Sequence, residues 1–160
     1  MTNRLCALGT RHRIGRAALA VAAIWVLGVA APAQAKCTIS STSVIFGTYN
    51  VFNTSPLDST GTISFSCGKR DKNIVISLGR GGSSSFNRVM RSGTEQMAYN
   101  LYRDATHTSI WGDGTSGTVV YENANPGDQT VNLTVFGRVP AGQDVAVGTY
   151  SDSVLVTIEW

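Results

Sequence analysis

The sequence predicts an all-β fold, a two-sheet antiparallel sandwich, on three observations. After residue 35, Val, Ile and Thr supply 35 residues while Ala, Leu, Glu and Lys supply only 16, a balance that favours strands over helices. No apolar pattern at helical spacing runs for ten residues in that region. Seven to nine short segments of alternating apolar and polar residues follow one another instead, separated by turn-forming residues.

The segments are justified in chain order. Residues 38–46 change parity between Ile39 and Val44, which predicts a bulge or a strand that moves from one sheet to the other. Residues 60–67 put Ile63, Phe65 and Cys67 on one face and Thr62, Ser64 and Ser66 on the other. Residues 73–78 align Ile74, Ile76 and Leu78, and the glycine-serine stretch 79–85 reads as a flexible loop. A short strand is expected around Val89 and Met90, and a longer one over 97–103. Trp111-Gly112-Asp113-Gly114 marks a tight turn, after which 118–121 resumes extended chain. Residues 130–135 set Val131, Leu133 and Val135 on one side, and 153–160 set Val154, Val156, Ile158 and Trp160 on one side.

Residues 1–35 read as a cleaved secretory signal peptide. Arg4, Arg11, Arg13 and Arg16 precede an apolar run over 17–31 broken only by Gly28, and Ala33-Gln34-Ala35 is a small-x-small cleavage site. So short a run argues against a membrane anchor. One domain, residues 36–160, is left. The whole chain has a formal charge of +3, but residues 36–160 carry nine basic and ten acidic side chains. The basicity belongs to the export signal, so nucleic-acid binding and docking on anionic membranes lose their support. Cys6 departs with the signal, and in an exported chain Cys37 and Cys67 are read as one structural disulfide across 30 residues. Such a bridge contributes roughly 3 to 4 kcal/mol.

Little in the chain suggests an enzyme, a cofactor or a metal. There is no CxxC pair, and two cysteines with His107 do not make a zinc site. His107 reads as a polar loop residue. Ser66-Cys67-Gly68-Lys69 matches a serine acylase pattern, yet it lies at a strand end instead of a helix start. Gly79-Arg80-Gly81-Gly82 has no helix after it to bind phosphate. Tyr99, Tyr102, Trp111 and Tyr121 fit either a ligand surface or core packing, the commoner role in a sandwich.

Cys37-Thr38 followed by Phe46-Gly47-Thr48-Tyr49 resembles the opening of the spore coat protein U family, which includes the Csu-type pilins. The resemblance continues through Tyr99-Asn100-Leu101-Tyr102-Arg103-Asp104-Ala105 and Trp111-Gly112-Asp113-Gly114. It resumes at Phe136-Gly137-Arg138-Val139-Pro140-Ala141-Gly142-Gln143 and closes with Gly148-Thr149-Tyr150-Ser151-Asp152. The resemblance implies an immunoglobulin-like antiparallel β-sandwich that lacks its last strand and is completed by a donor strand. It implies a structural or adhesive subunit of an archaic chaperone–usher surface pilus, exported through the periplasm to the cell surface. The implied partners are a periplasmic chaperone, an outer-membrane usher and a neighbouring subunit, with any surface receptor unidentified.

In that frame Val154, Val156 and Ile158 are the expected lining of the donor-strand groove, because the last segment has no strand after it to cover its face. Cleavage after Ala35 leaves only Lys36 ahead of Cys37, which is too short to donate a strand. The chain is therefore expected to accept a strand and give none, which places it at the tip or end of a fibre. The alternative reading is a self-complete secreted coat protein or binding module. A small outer-membrane barrel ranks behind both, since the segments are too short to span a membrane.

Overall fold

The computed structural model describes residues 37–160, so the expected signal peptide lies outside the described residues. Eight strands form two sheets: β1 (Thr38–Ser41), β2 (Leu57–Ser66), β3 (Ile74–Leu78), β4 (Arg88–Ser92), β5 (Glu95–Tyr102), β6 (Tyr121–Asn123), β7 (Thr130–Val139) and β8 (Val156–Glu159). One sheet has the order β1-β2-β7-β5-β4 and the other β6-β3-β8, with every strand pair antiparallel. Among the described residues there is no helix.

The alternation in the sequence sets which faces meet. Ile63 and Phe65 of β2, Ile74, Ile76 and Leu78 of β3 and Leu133, Val135 and Val139 of β7 are buried in one core between the sheets. The centre of the five-stranded sheet is the long β2–β7 pair, running from Leu57↔Val139 to Ser66↔Thr130. Cys37 and Cys67 are joined by a disulfide. They flank the β1–β2 ladder at its Thr38↔Ser66 end, so the bond fixes β1 on the sheet edge.

Several expected segments differ in extent: the first strand stops at Ser41, β6 begins only at Tyr121, and β7 runs on to Val139. The last strand is confined to Val156–Glu159, because residues 151–155 bond to other partners as they cross between sheets. Trp160 is exposed. The stretch 79–85 is tied down at several points. Gly79 N donates to Leu155 O at 2.8 Å, Gly82 N to Asp152 Oδ1 at 2.8 Å, and Val89 N to Ser83 Oγ at 2.9 Å. Gly81 sits at φ +64°, and a Cβ there would lie 2.0 Å from Asp152 Oδ2, so the loop closes on that carboxylate only with glycine.

Arg88 is wholly buried at the start of β4. Its guanidinium donates to Gly79 O from Nε at 3.0 Å and from Nη2 at 2.7 Å, to Trp111 O at 2.8 Å, and to Asn100 Oδ1 at 2.7 Å. Asn100 Nδ2 donates in turn to Phe86 O at 2.7 Å. Burial pulls Arg88 below the usual arginine range. The carbonyl acceptors compensate the desolvated cation, and the planar fork reaches all of them at once. Trp111, also wholly buried, donates from Nε1 to Ile76 O at 3.0 Å and from its main-chain N to Leu101 O of β5 at 2.9 Å, while Gly112 O accepts from Leu78 N of β3 at 3.0 Å. The Trp111-Gly112 turn is therefore a strut between the sheets. A Cβ at Gly112 would meet Thr118 Oγ1 at 2.4 Å and the Phe86 ring at 2.8 Å.

Arg88→Met removes the donors while leaving Gly79 O, Trp111 O and Asn100 Oδ1 buried. The expected loss is roughly 3 kcal/mol or more, read as a fall in the urea midpoint of the exported protein.

Candidate functional site

The two sheets do not close on one another everywhere. A groove of about 1130 Å³ opens between them, its floor formed by Ile63, Leu78, Met90, Leu101, Val135 and Val139. These are core side chains of both sheets, so the groove is a gap in the core's cover. Its two banks are irregular segments, residues 41–51 on one side and 145–154 on the other.

The first bank exists because β1 stops pairing. Thr42 still bonds β2, its N donating to Thr62 O and its Oγ1 accepting from Thr62 N, each at 2.8 Å. Beyond it the chain lifts inward over two glycines that face the core, Gly61 and Gly137. A Cβ on Gly137 would meet Val44 Cγ1 at 2.6 Å and the Phe46 ring at 2.8 Å, and one on Gly61 would meet Val44 Cγ2 at 2.9 Å. Only glycine leaves room for that crossing. The parity change between Ile39 and Val44 is this departure from the sheet.

The second bank changes sheets. Ser151 exchanges two main-chain hydrogen bonds with Arg91 on β4, at 2.9 and 3.1 Å. Asp152 then anchors the turn: Oδ2 accepts from Tyr99 OH at 2.7 Å and Oδ1 from Ser153 N at 2.8 Å. Burial first, and the Asp152 carboxylate after it, push the Tyr99 phenol well above its usual range. From Leu155 the chain joins β3 and continues as β8.

Among the described residues, the main chain of 43–49 and of 144–150 takes part in no main-chain to main-chain hydrogen bond. The groove thus presents an apolar floor between two backbones outside any ladder, on which only Ile45 O and Ala146 O are engaged among the described residues, by the hydroxyls of Ser59 and Tyr150 at 2.7 and 2.8 Å. Ile45 and Val147, both in the groove lining, are among the most exposed large apolar residues of the domain. Such unpaired edges are templates for an added strand.

The banks are linked at one end. Tyr49 OH donates to Pro140 O at 3.0 Å and accepts from Gln143 N at 2.9 Å. The Gln143 side chain also clips β5, Oε1 accepting from Ala98 N at 2.6 Å and Nε2 donating to Ala98 O at 2.9 Å. β7 pairs with β5 only over residues 136–138, so the amide takes the edge that β7 leaves free.

Val154 and Val156 line the groove. Ile158 lies further along β8 opposite Ile76, half-buried against the core and outside the groove lining. Met90, Leu101, Val135 and Val139, which form most of the floor, come from β4, β5 and β7. Alternation marks them as buried but carries no sign that their cover is missing.

Away from the groove, Tyr99 and Trp111 are core residues, and Arg103 lies over the rings of Trp111 and Tyr121 at 4.6 and 4.9 Å. His107 is packed edge-on against Tyr102 and Phe136, with its side chain almost fully covered and neither ring nitrogen hydrogen-bonded. The sulfurs of Cys37 and Cys67 and a carboxylate oxygen of the buried Asp71 lie within 4.8 Å of one another. The sulfurs are bonded together and offer no thiolate to a metal.

A family model described as the Spore Coat Protein U domain matches residues 23–157. "Protein U" of Myxococcus xanthus is 36% identical over 128 residues, covering 71% of this chain and 69% of that protein. Among solved structures, a chain of the CsuC–CsuE chaperone–tip adhesion subunit pre-assembly complex from the archaic chaperone-usher Csu pili of Acinetobacter baumannii superposes with a TM-score of 0.56 at 27% identity. That match covers 79% of this chain and 40% of the other, so this chain spans about two fifths of its length.

Gly137→Ala drives a methyl into Val44 and Phe46 and displaces the first bank. The expected cost is about 1 to 3 kcal/mol, measured as a lower denaturation midpoint. On the outer face, Arg138 donates two hydrogen bonds of 2.7 Å to Asp58 and holds its carboxyl below the usual range, with His107 adding to the field. The stability from this pair is present above the unfolded carboxyl value of about 3.9 and is lost as pH falls through the lowered folded value. Both partners are partly exposed, so Asp58→Asn is expected to cost a few tenths to about 1 kcal/mol at pH 7. The difference from the parent should vanish in acid, read from unfolding midpoints at stepped pH.

Proposed function

The chain belongs to the Spore Coat Protein U domain family, and from that membership we propose that it is a structural or adhesive subunit of a chaperone–usher surface pilus. Its groove accepts a β-strand donated by a partner. The observation that carries this reading is the pair of unpaired backbones on either side of an apolar floor. A strand laid between them pairs with both, each ladder bond contributing about 0.5 to 1.5 kcal/mol. Its alternate side chains bury against Met90, Leu101 and Val135 at roughly 25 cal/mol per Å² of apolar surface. The solved complex of a chaperone with a tip adhesion subunit supports a chaperone as one partner of this chain.

The partners are a periplasmic chaperone that lends the strand during folding, an outer-membrane usher, and a neighbouring subunit that supplies it in the fibre. The chain travels through the periplasm to the cell surface. Cleavage after Ala35 leaves Lys36 as the only residue ahead of Cys37, and the subunit is terminal because it has no strand to give. The family match begins at residue 23, ahead of that site. The mass of the exported chain therefore decides between positions: retention of residues 23–35 would supply a donor and move the subunit into the shaft.

A second reading, a self-complete coat protein, has its support in the similarity to Protein U. Export of the chain alone to an oxidising periplasm separates the two. For a strand acceptor the expected outcome is little folded protein by circular dichroism and no cooperative urea transition, both restored by co-expressed chaperone or a donor peptide. A stable, cooperatively unfolding monomer would instead establish the coat reading.

A further inference from the structure

The banks run in opposite directions. The first goes from Thr42 toward Tyr49, and the second from Gln143 toward Ser151, so Tyr49 and Gln143 share one end of the groove. That end is latched by the phenol of Tyr49, held between Pro140 O and Gln143 N, with the Gln143 amide fastened to both main-chain groups of Ala98. At the other end each bank is tied to its own strand of the five-stranded sheet, Thr42 to Thr62 of β2 and Ser151 to Arg91 of β4. Among the described residues no hydrogen bond joins the banks to each other there. The groove is closed at one end and open at the other.

This asymmetry meets a physical need. A strand of alternating apolar residues fits an apolar floor equally well after a slip of two residues, since its period is two. Ile63, Leu78, Leu101, Val135 and Val139 of the floor are similar aliphatic side chains and do little to break that degeneracy. We propose that the Tyr49–Gln143 clasp is the stop that sets the register of the incoming strand, which extends from the clasp toward Thr42 and Ser151. The inference rests on the strand-acceptor reading and assigns a positioning role to two residues. The span of each bank, at about 3.3 Å per residue, then limits the paired part of the donor to about seven residues.

The test uses a peptide with no register of its own. A synthetic peptide of about twelve alternating valine and threonine residues, flanked by lysines and carrying one benzoylphenylalanine, is bound to the exported full chain and irradiated. The crosslinked residue is mapped by mass spectrometry. The parent protein is expected to crosslink at one principal position, unchanged when the peptide is lengthened by two residues at its open-end terminus. In Tyr49→Phe, and independently in Gln143→Ala, about half of that yield should move to positions two residues away. Tyr49→Phe keeps the ring and loses only its hydrogen bonds, so a general loss of stability would lower the total yield without shifting its position. A spread of positions in the parent, or a single position kept in both variants, would overturn the stop. Failure of the parent to capture the peptide at all would remove the acceptor reading itself, an outcome distinct from a shifted register.

Discussion

The sandwich is organised around a buried cation that forms no salt bridge among the described residues. Arg88 gathers the end of β3 through Gly79, the middle of β5 through Asn100 and the inter-sheet strut through Trp111. A desolvated guanidinium is tolerated only where several acceptors are already in place, so the four hydrogen bonds form together or not at all. The same group governs the groove at one remove. Gly79 O is held by Arg88 while Gly79 N holds Leu155 O, so the root of β8 hangs from the Arg88 network.

The motifs that carry the resemblance are connectors. Tyr99 fastens Asp152, Asn100 receives Arg88, Arg103 stacks on Trp111 and Tyr121, and Asp104 accepts from Thr108 and Ser109 to close the following loop. Gly137 admits Val44 and Phe46, and Gln143 meets Tyr49 across a large separation in sequence. Each motif shapes a bank of the groove or the frame behind it.

The groove follows from a conflict between two requirements. Main-chain groups need partners, and the five-stranded sheet satisfies them as far as Ser41 on one edge and Ser92 on the other. Beyond Ser41 the chain folds inward over glycines, and on the β4 edge the segment after Ser151 turns toward the second sheet. It covers part of the core with side chains such as Phe46 and Tyr150 while its backbone goes unpaired. Apolar cover and ladder bonding are thus separated along 43–49 and 144–150.

The amino-acid sequence by itself determined the all-β class, the inward faces of β2, β3 and β7, and the departure of the first strand from its sheet. These depend on the two-residue period of side chains and on the parity break before Val44, which are local properties. The positions of Val154 and Val156 were legible for the same reason. The floor of the groove, the Arg88 network and the pairing of Tyr49 with Gln143 were decided only by tertiary structure. A single sequence does not show which strand ends fail to find a neighbour, nor which carbonyls collect around an arginine 9 to 23 residues away. A residue's face follows from its neighbours in the chain, whereas a missing cover depends on where the other sheet stops.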